Sequence, residues 1–342
     1  MQTGGNMKEA KLYNKKENGK VECYTCAQKC TIAPGKRGLC GVMENREGTL
    51  YSLVYGKTIA DNTDPIEKKP LFHFLPGTLS FSIATAGCNM RCKHCQNADI
   101  SQSPRVNKTI IGRNFPPEEV VKTASDKKCR SIAYTYTEPS IFWDYAFDTA
   151  KLAWEKRIKN VFVTNGYFSK ESFQEISKYM DAANIDLKSF KEETYKHICG
   201  ARLQPVLDTI KRMKEAGVWI EVTTLLIPDV NDSKEELKDI AGFITECDPG
   251  IPWHISRFYP TYEMLDKPPT PVDAIWRAMD IGYEAGLHFV YAGNVRGDDG
   301  ENTFCYSCGA RLIRRIGYQI LDNTIKDGKC PQCGAEIEGV WR

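Results

Sequence analysis

No stretch of this 342-residue chain approaches 18 consecutive apolar residues, so a membrane-spanning helix is not expected. The first twenty residues, MQTGGNMKEAKLYNKKENGK, hold no apolar core of the kind a secretory leader needs, and a cytoplasmic protein is expected. The six residues before Met7 read as a non-native or alternative start and are set aside. Long blocks of one charge are missing too. With 46 Lys and Arg against 44 Asp and Glu the net charge is +2, which argues against nucleic acid or another polyanion as the main partner. A hydrophobic content of 42% is ordinary for a soluble protein, and the length suits one barrel-sized domain with small additions.

What the chain does have is cysteine, 14 residues of it, with eleven in three groups. In a reducing compartment such clustering points to metal ligands rather than disulfides. Cys129, Cys199 and Cys247 stand alone and read as structural. The central group is Cys88, Cys92 and Cys95, a C-x3-C-x2-C triplet after SFSIATAG, whose pattern is a strand running into a glycine turn. Three thiolates on one loop can converge on one centre. They are one short of the four that fully ligate a 4Fe-4S cluster, so an iron there keeps a position open to a non-protein ligand. A closed zinc site would need a fourth ligand, and His94, between two of the cysteines, is awkwardly placed to reach their metal.

The first group, Cys23, Cys26, Cys30 and Cys40 around a PGKRG turn, fits a closed zinc site whose binding energy replaces a core. An auxiliary iron-sulfur cluster is the other reading, and spacing does not separate the two. The last group, Cys305/Cys308 and Cys330/Cys333, forms two C-x2-C-G turns 21 residues apart, a zinc-ribbon pattern with a rubredoxin-like iron site as the lesser alternative.

Between these groups the pattern alternates. SIAYTYTEP, NVFVTNGY, DAANIDLKSF, VWIEVTTLLIP, PWHISRFYP and LHFVYAGN read as strands, and PPEEVVKTASDKK, IFWDYAFDTAKLAWEK, KESFQEISKYM, QPVLDTIKRMKEAG, KEELKDIAGFITE and VDAIWRAMDIGYEAG as helices. Such alternation implies a parallel sheet with right-handed crossovers. The fold class is therefore α/β, an incomplete open (β/α)6-type barrel, since the roughly 220 residues from Leu79 to Gly300 fall at the low end for eight units. The expected division is 1–75, a cysteine-rich metal-binding segment and connector; 76–300, the partial barrel; and 301–342, the zinc-ribbon-like segment. In the connector DNTDPIEKKPLFHFLPGT, Phe72 and Phe74 read as anchors to a core, while Lys68 and Lys69 read as a solvated face.

Active sites of such barrels lie at the C-terminal ends of the strands. Those ends are polar here: Thr137 and Glu138, Asn165, Asp186 and Lys188, Thr223 and Thr224, then His254, Arg257 and Tyr259. Asp186 and Lys188, two apart on a strand, share a face, and inside a barrel they must meet each other or a ligand.

The cysteine triplet and these strand ends resemble the radical S-adenosylmethionine (radical SAM) superfamily, in its branch of activating enzymes like that of pyruvate formate-lyase. CYTCAQKC, DPIEKKPLFHFLPGT, GCNMRCKHCQN, TYTEPSIFWDYA, DLKSFKEETY, LLIPDVND, PWHISRFYP, VYAGNV and the terminal CxxCGARLIRR…GKCPQCG together look like the radical SAM member of the AmmeMemoRadiSam system, from about Lys11 to the end. The resemblance implies a radical SAM barrel, a 4Fe-4S cluster on Cys88, Cys92 and Cys95 as catalytic ligands, and S-adenosylmethionine chelated to the open iron. It implies that His94 stacks on the adenine where the superfamily usually has an aromatic residue. Thr137-Glu138-Pro139 takes the place of a Gly-Gly-Glu-Pro segment that receives the cofactor's amino group, with Tyr136 and Thr137 replacing the glycines. Asp186-Leu187-Lys188 reproduces the segment that contacts ribose and methionine carboxylate. Tyr259 stands where related sequences often carry His, with His254 as its stand-in, and Asn165 and Thr223 complete the cofactor-facing set.

The function so implied is reductive cleavage of S-adenosylmethionine to a 5′-deoxyadenosyl radical that abstracts hydrogen from a substrate the sequence does not name. A one-electron donor of flavodoxin or ferredoxin type is an implied partner, with AMMECR-type and Memo-type proteins as further candidates. A glycyl-radical activase acting on a partner enzyme is the near alternative. A non-catalytic zinc scaffold for protein or RNA is the alternative of another class, and it has no use for the strand-end polar set.

Overall fold

Segments rich in Val, Ile and aromatic residues form the strands, and the Pro- or Ser-headed amphipathic segments between them form the helices. In the computed structural model, which describes residues 7–295 and 299–342, the main sheet comprises β1 (Ala60–Pro65), β2 (Leu79–Ala84), β3 (Ser131–Tyr134), β4 (Lys159–Thr164), β5 (Ala182–Asp186), β6 (Trp219–Leu226), β7 (Trp253–Arg257) and β8 (Val290–Gly293). The set-aside residues 1–6 lie outside the described residues. Spatial order follows chain order. β2 to β8 run parallel, whereas β1 is antiparallel to β2. Helices α1 (Pro117–Asp126), α2 (Trp143–Glu155), α3 (Lys170–Ile176), α4 (Gln204–Glu215), α5 (Lys234–Cys247) and α6 (Val272–Glu284) make the crossovers. β1 and β8 do not pair with each other, so the barrel is open between them.

Strand alternation sorts the core into two layers. Ile132, Tyr134, Phe162, Ala183, Val222 and Ile255 face the helices and join their buried residues. On α5, for example, Ser233 Oγ accepts the Glu236 N–H as an N-cap, and Leu237, Ile240 and Ile244 turn inward. The intervening residues Ala133, Val161 and Ala182 face the concave side, where Ile66, Leu71, Phe74 and Leu75 of the connector pack on them. The connector thus fills the barrel interior that a closed barrel fills with its own side chains. The C-terminal tail pairs with it, Val340 N donating to the His73 carbonyl and Leu75 N to the Val340 carbonyl, both at 2.7 Å. The terminal hairpin (311–316 with 319–323) packs Leu312 and Ile313 against Phe289 and Tyr291 beside β8.

Two expectations are corrected. Residues 60–65, read as connector, form the antiparallel edge strand, so the sheet begins before residue 76. Lys69 is not on a solvated face: it is buried, its Nζ lies 2.7 Å from Asp64, and the Tyr136 ring sits beside it. Asp64 also accepts from Lys68, which is the exposed member of the pair, so an ion pair rather than solvent satisfies the buried ammonium.

His73 ties connector to tail, its Nδ1 2.6 Å from the Glu338 carbonyl and its Nε2 2.5 Å from Tyr291 Oη. Burial lowers its pKa from 6.5 to about 4. The unfolded chain therefore takes up this proton first as pH falls, and the stability His73 contributes at neutral pH declines between about pH 6.5 and pH 4, by up to about 3 kcal/mol. Urea unfolding across that window should show a shallower decline for His73→Gln than for the parent.

Candidate active site

The loop after β2 begins with Gly87, at φ +104°, where a Cβ would fall 2.8 Å from Val42 Cγ1 and 3.0 Å from the Cys40 carbonyl oxygen. Glycine is what the turn and the close approach both require. The loop carries Cys88, Cys92 and Cys95, with Cys92 buried and the other two half-buried. Met90 N donates to Cys88 Sγ at 3.4 Å, and Cys95 Sγ lies 3.3 Å from Ser101 Oγ. Burial pushes the Cys88 and Cys95 thiols up, and Cys92 raises both further.

Two asparagines hold this loop to the neighbouring strand ends. Asn165, after β4, donates from Nδ2 to Asn89 Oδ1 at 2.8 Å and reaches Cys88 Sγ at 3.8 Å, while Asn89 Nδ2 donates to Ser140 Oγ at 3.0 Å. Beneath them Glu138 accepts from Ser140 N (2.9 Å), Thr164 Oγ1 (2.9 and 3.0 Å to its two oxygens) and Asn165 N (2.8 Å). Its carboxylate is buried and already engaged, and burial raises its pKa. Thr137 Oγ1 donates to the Thr85 carbonyl at 2.8 Å. Tyr136, at a position the resemblance assigns to glycine, keeps the left-handed backbone at φ +63°. Its hydroxyl donates to Asp64 at 2.7 Å and its carbonyl accepts from Asn97 Nδ2 at 2.8 Å.

On the other side lie the residues after β5. Lys188 Nζ pairs with Asp186 at 2.8 Å, their side chains 15% and 35% exposed. Despite the cost of burial, the Asp186 carboxylate and the neighbouring Cys92 and Cys199 sulfurs raise the Lys188 pKa, so it is a cation. Cys199, read as merely structural, is fully buried and hydrogen-bonded to Cys92. Cys92, His94 and Cys199 bring their ligand atoms within 4.8 Å of one another, a group that does not include Cys88 or Cys95. Both His94 ring nitrogens are buried without a hydrogen-bond partner, and burial lowers its pKa to about 3. A buried, unsatisfied imidazole is costly unless a further group meets it.

Sheet register puts Asp186, Thr223, His254 and Tyr291 in one row across β5 to β8. Thr223 Oγ1 donates to Asn184 at 2.9 Å. His254, the expected stand-in for Tyr259, has its Nε2 2.6 Å from Glu221 and its ring stacked on Tyr291, and it lines the same cavity as Tyr259. Thr224 faces the opposite side, donating to the Leu187 carbonyl. Tyr259 is exposed and accepts from Arg257 Nη1 at 3.0 Å. Both line a cavity of about 1240 Å³ that Gln96, next to Cys95, joins to the triplet loop.

The terminal quartet closes tightly, with Sγ separations of 3.6 Å (Cys305–Cys333) and 3.8 Å (Cys308–Cys330) and all four within 4.8 Å. Among the described residues the triplet does not close in that way. Its wider spacing suits a cluster rather than a single ion, and a ring nitrogen of the orphaned His94 lies within 4.8 Å of the Cys92 sulfur.

The radical SAM family model matches residues 82–244. The chain is 44% identical over 337 residues to uncharacterized protein MJ0808 of Methanocaldococcus jannaschii, covering 98% of this chain and all of that one. The chain belongs to the radical SAM superfamily. It is also similar to the pyruvate formate-lyase-activating enzyme of Clostridium pasteurianum, 26% identical over 164 residues, spanning 46% of this chain and 66% of that one. The crystal structure of Streptococcus suis SuiB bound to S-adenosylmethionine shares the fold with a TM-score of 0.50 at 14% identity, over 67% of this chain and 53% of that one. Superfamily membership makes the protein an enzyme of radical chemistry and implies a 4Fe-4S cluster and S-adenosylmethionine. No helix among the described residues is long and apolar enough to cross a membrane.

Because every acceptor position of Glu138 faces an N–H or O–H of its own chain, Glu138→Gln would turn an amide donor against one of them. A loss of about 1–3 kcal/mol in urea unfolding of the metal-free protein is expected, with Thr164→Val costing less because the backbone donors remain.

Proposed function

We propose that the protein generates a 5′-deoxyadenosyl radical beside the 1240 Å³ cavity and abstracts hydrogen from a substrate held there. The observation that carries the reading is the open cysteine triplet facing an unsatisfied His94 and the Lys188–Asp186 pair, with Gln96 opening onto the cavity. Cys88, Cys92 and Cys95 would hold the 4Fe-4S cluster, which with bound S-adenosylmethionine supplies the radical. His94 would stack on the adenine, and Lys188 and Asp186 would meet the carboxylate and ribose. Asn165, Thr137 and Glu138 position the loop around them through the contacts above. Thr223 completes the polar wall, and Tyr259 lies at the cavity rim. Burial of Cys92 and His94 keeps water from the reacting centre.

The terminal quartet is proposed to hold zinc, because its 3.6–3.8 Å sulfur separations match the edge of a tetrahedron with zinc–sulfur bonds of about 2.3 Å. The electron would come from a flavodoxin- or ferredoxin-type donor, and AMMECR-type and Memo-type proteins are proposed as functional partners on the motif resemblance. The relatives named as activating enzymes support a second reading, in which hydrogen is abstracted from a glycine backbone of a partner enzyme to leave a glycyl radical there. A radical signal on an added protein, in place of turnover of a small molecule, would select it.

Cys92→Ala should abolish 5′-deoxyadenosine formation in anaerobic assays and remove the iron of the central site, with zinc at the terminal quartet unchanged. Retained 5′-deoxyadenosine would refute the proposal. Lys188→Met separates binding from stability. Asp186 keeps a third of its side chain in solvent and needs no buried counter-charge. The variant should therefore bind S-adenosylmethionine about 1–3 kcal/mol more weakly, by calorimetric titration, with little change in the melting temperature of the cofactor-free protein. A large melting shift at unchanged affinity would remove Lys188 from the cofactor site.

A further inference from the structure

The cysteine groups of this chain fall into two geometric classes. The terminal quartet is closed, as above. Cys23, Cys26, Cys30 and Cys40 also turn toward one another: all four line one small cavity. Yet among the described residues no three of these sulfurs come within 4.8 Å of one another, which places the quartet with the triplet rather than with the ribbon. The enclosed space is about 10 Å³. That is about the room of one water-sized sphere, whose centre stands roughly 3 Å from the atoms around it. A mononuclear zinc cage draws its sulfurs in to about 2.3 Å from the metal and leaves no such space. A cubane, whose irons stand between the common centre and the thiolates, needs the wider setting.

The quartet adjoins the triplet loop directly. Asn89 lines its cavity, and the same residue contacts Cys88 and Asn165. Gln28, between Cys26 and Cys30, donates to the Asn89 carbonyl at 3.0 Å. The Cys40 carbonyl oxygen presses on Gly87, one residue before Cys88. Arg105 donates to the Leu39 and Met90 carbonyls, and its charge acts on both Cys40 and Cys88. Cys30 is the half-exposed member, which keeps the quartet within reach of the surface.

We infer that Cys23, Cys26, Cys30 and Cys40 hold a second, fully cysteine-ligated 4Fe-4S cluster that relays single electrons to the triplet site. The step is an outer-sphere transfer. The reduced quartet cluster loses one electron, the oxidised triplet cluster gains it, and no bond or proton moves. A low-potential flavodoxin- or ferredoxin-type protein restores the quartet cluster. The relay rests on the function proposed above, but the metal assignment does not.

The test uses the full chain, reconstituted anaerobically with iron and sulfide. The triple variant Cys88→Ala/Cys92→Ala/Cys95→Ala should keep about four irons and four sulfides per chain, with a reduced-state paramagnetic signal that S-adenosylmethionine does not alter. An iron-free triple variant carrying two zinc ions per chain would overturn the assignment. The complementary Cys26→Ser/Cys30→Ser variant should lose half of the parent's iron and keep the cluster whose signal S-adenosylmethionine shifts. Its reduction by flavodoxin should slow by more than about tenfold, while reduction by dithionite is unchanged. Equal rates with flavodoxin would overturn the relay alone. Should this variant fail to fold, iron on the triple variant still decides the metal, and absence of the S-adenosylmethionine-sensitive cluster from the parent protein would count against the radical reading instead.

Discussion

A buried carboxylate organises the interior of this open barrel. Glu221, on the concave face of β6, accepts the backbone N–H groups of Phe72 and His73 at 3.0 and 2.8 Å, the Trp219 indole at 3.1 Å and the His254 ring at 2.6 Å. These donors hold its pKa low in spite of complete burial. An unpartnered carboxylate there would cost several kcal/mol. The requirement that all four donors be present couples the connector to the sheet. Through Phe72 it also couples the terminal segment, because Arg315 donates to the Phe72 carbonyl at 2.9 Å and lies over its ring.

The consequence is a division of labour along the strands. Towards their N-terminal ends the concave face is dry, filled by Ile66, Leu71, Phe74 and Leu75. Towards their C-terminal ends it is polar and opens to the cavity. Across the sheet the same row grades from accessible to sealed: Asp186 has a side chain 35% exposed, whereas that of His254 is 4% exposed and committed to Glu221. On the function proposed above, cofactor-facing chemistry falls to the ends of β2 to β6, with β7 and β8 walling the cavity.

This explains what could be read from the sequence. Cysteine groups declare themselves by local spacing, and strand and helix periods are local too, so the triplet, the ribbon, the crossovers and the polar strand ends were legible. What the sequence hides is partners that are distant along the chain. Lys69 looks like a surface lysine unless Asp64 and Tyr136 are known to close over it. His254 looks free unless Glu221 is known to face it, and Cys199 looks ordinary because Cys92 is more than a hundred residues away. The β1 segment, ADNTDP, lacks the apolar alternation of a strand because its residues pair at a sheet edge, where backbone hydrogen bonds to β2 fix it.

The cavity is built almost wholly outside the superfamily match. The superfamily match spans residues 82–244 and contains the triplet, Glu138, Asn165, Asp186, Lys188 and Thr223. Of the described residues that line the cavity, Gln96 alone falls inside that span; Glu67, Phe72, Arg257, Tyr259 and Tyr318 come from the connector, the last strands and the terminal hairpin. On the proposed reading, radical generation and substrate enclosure are carried by different stretches of one chain. On the function proposed above, exchange of the connector or the hairpin alters which molecule is held while leaving the cysteine loop and its asparagine supports in place. Glu221 links the two stretches and Arg315 ties the connector to the terminal hairpin within the second, so substitutions that weaken these contacts loosen the cavity walls before they reach the triplet.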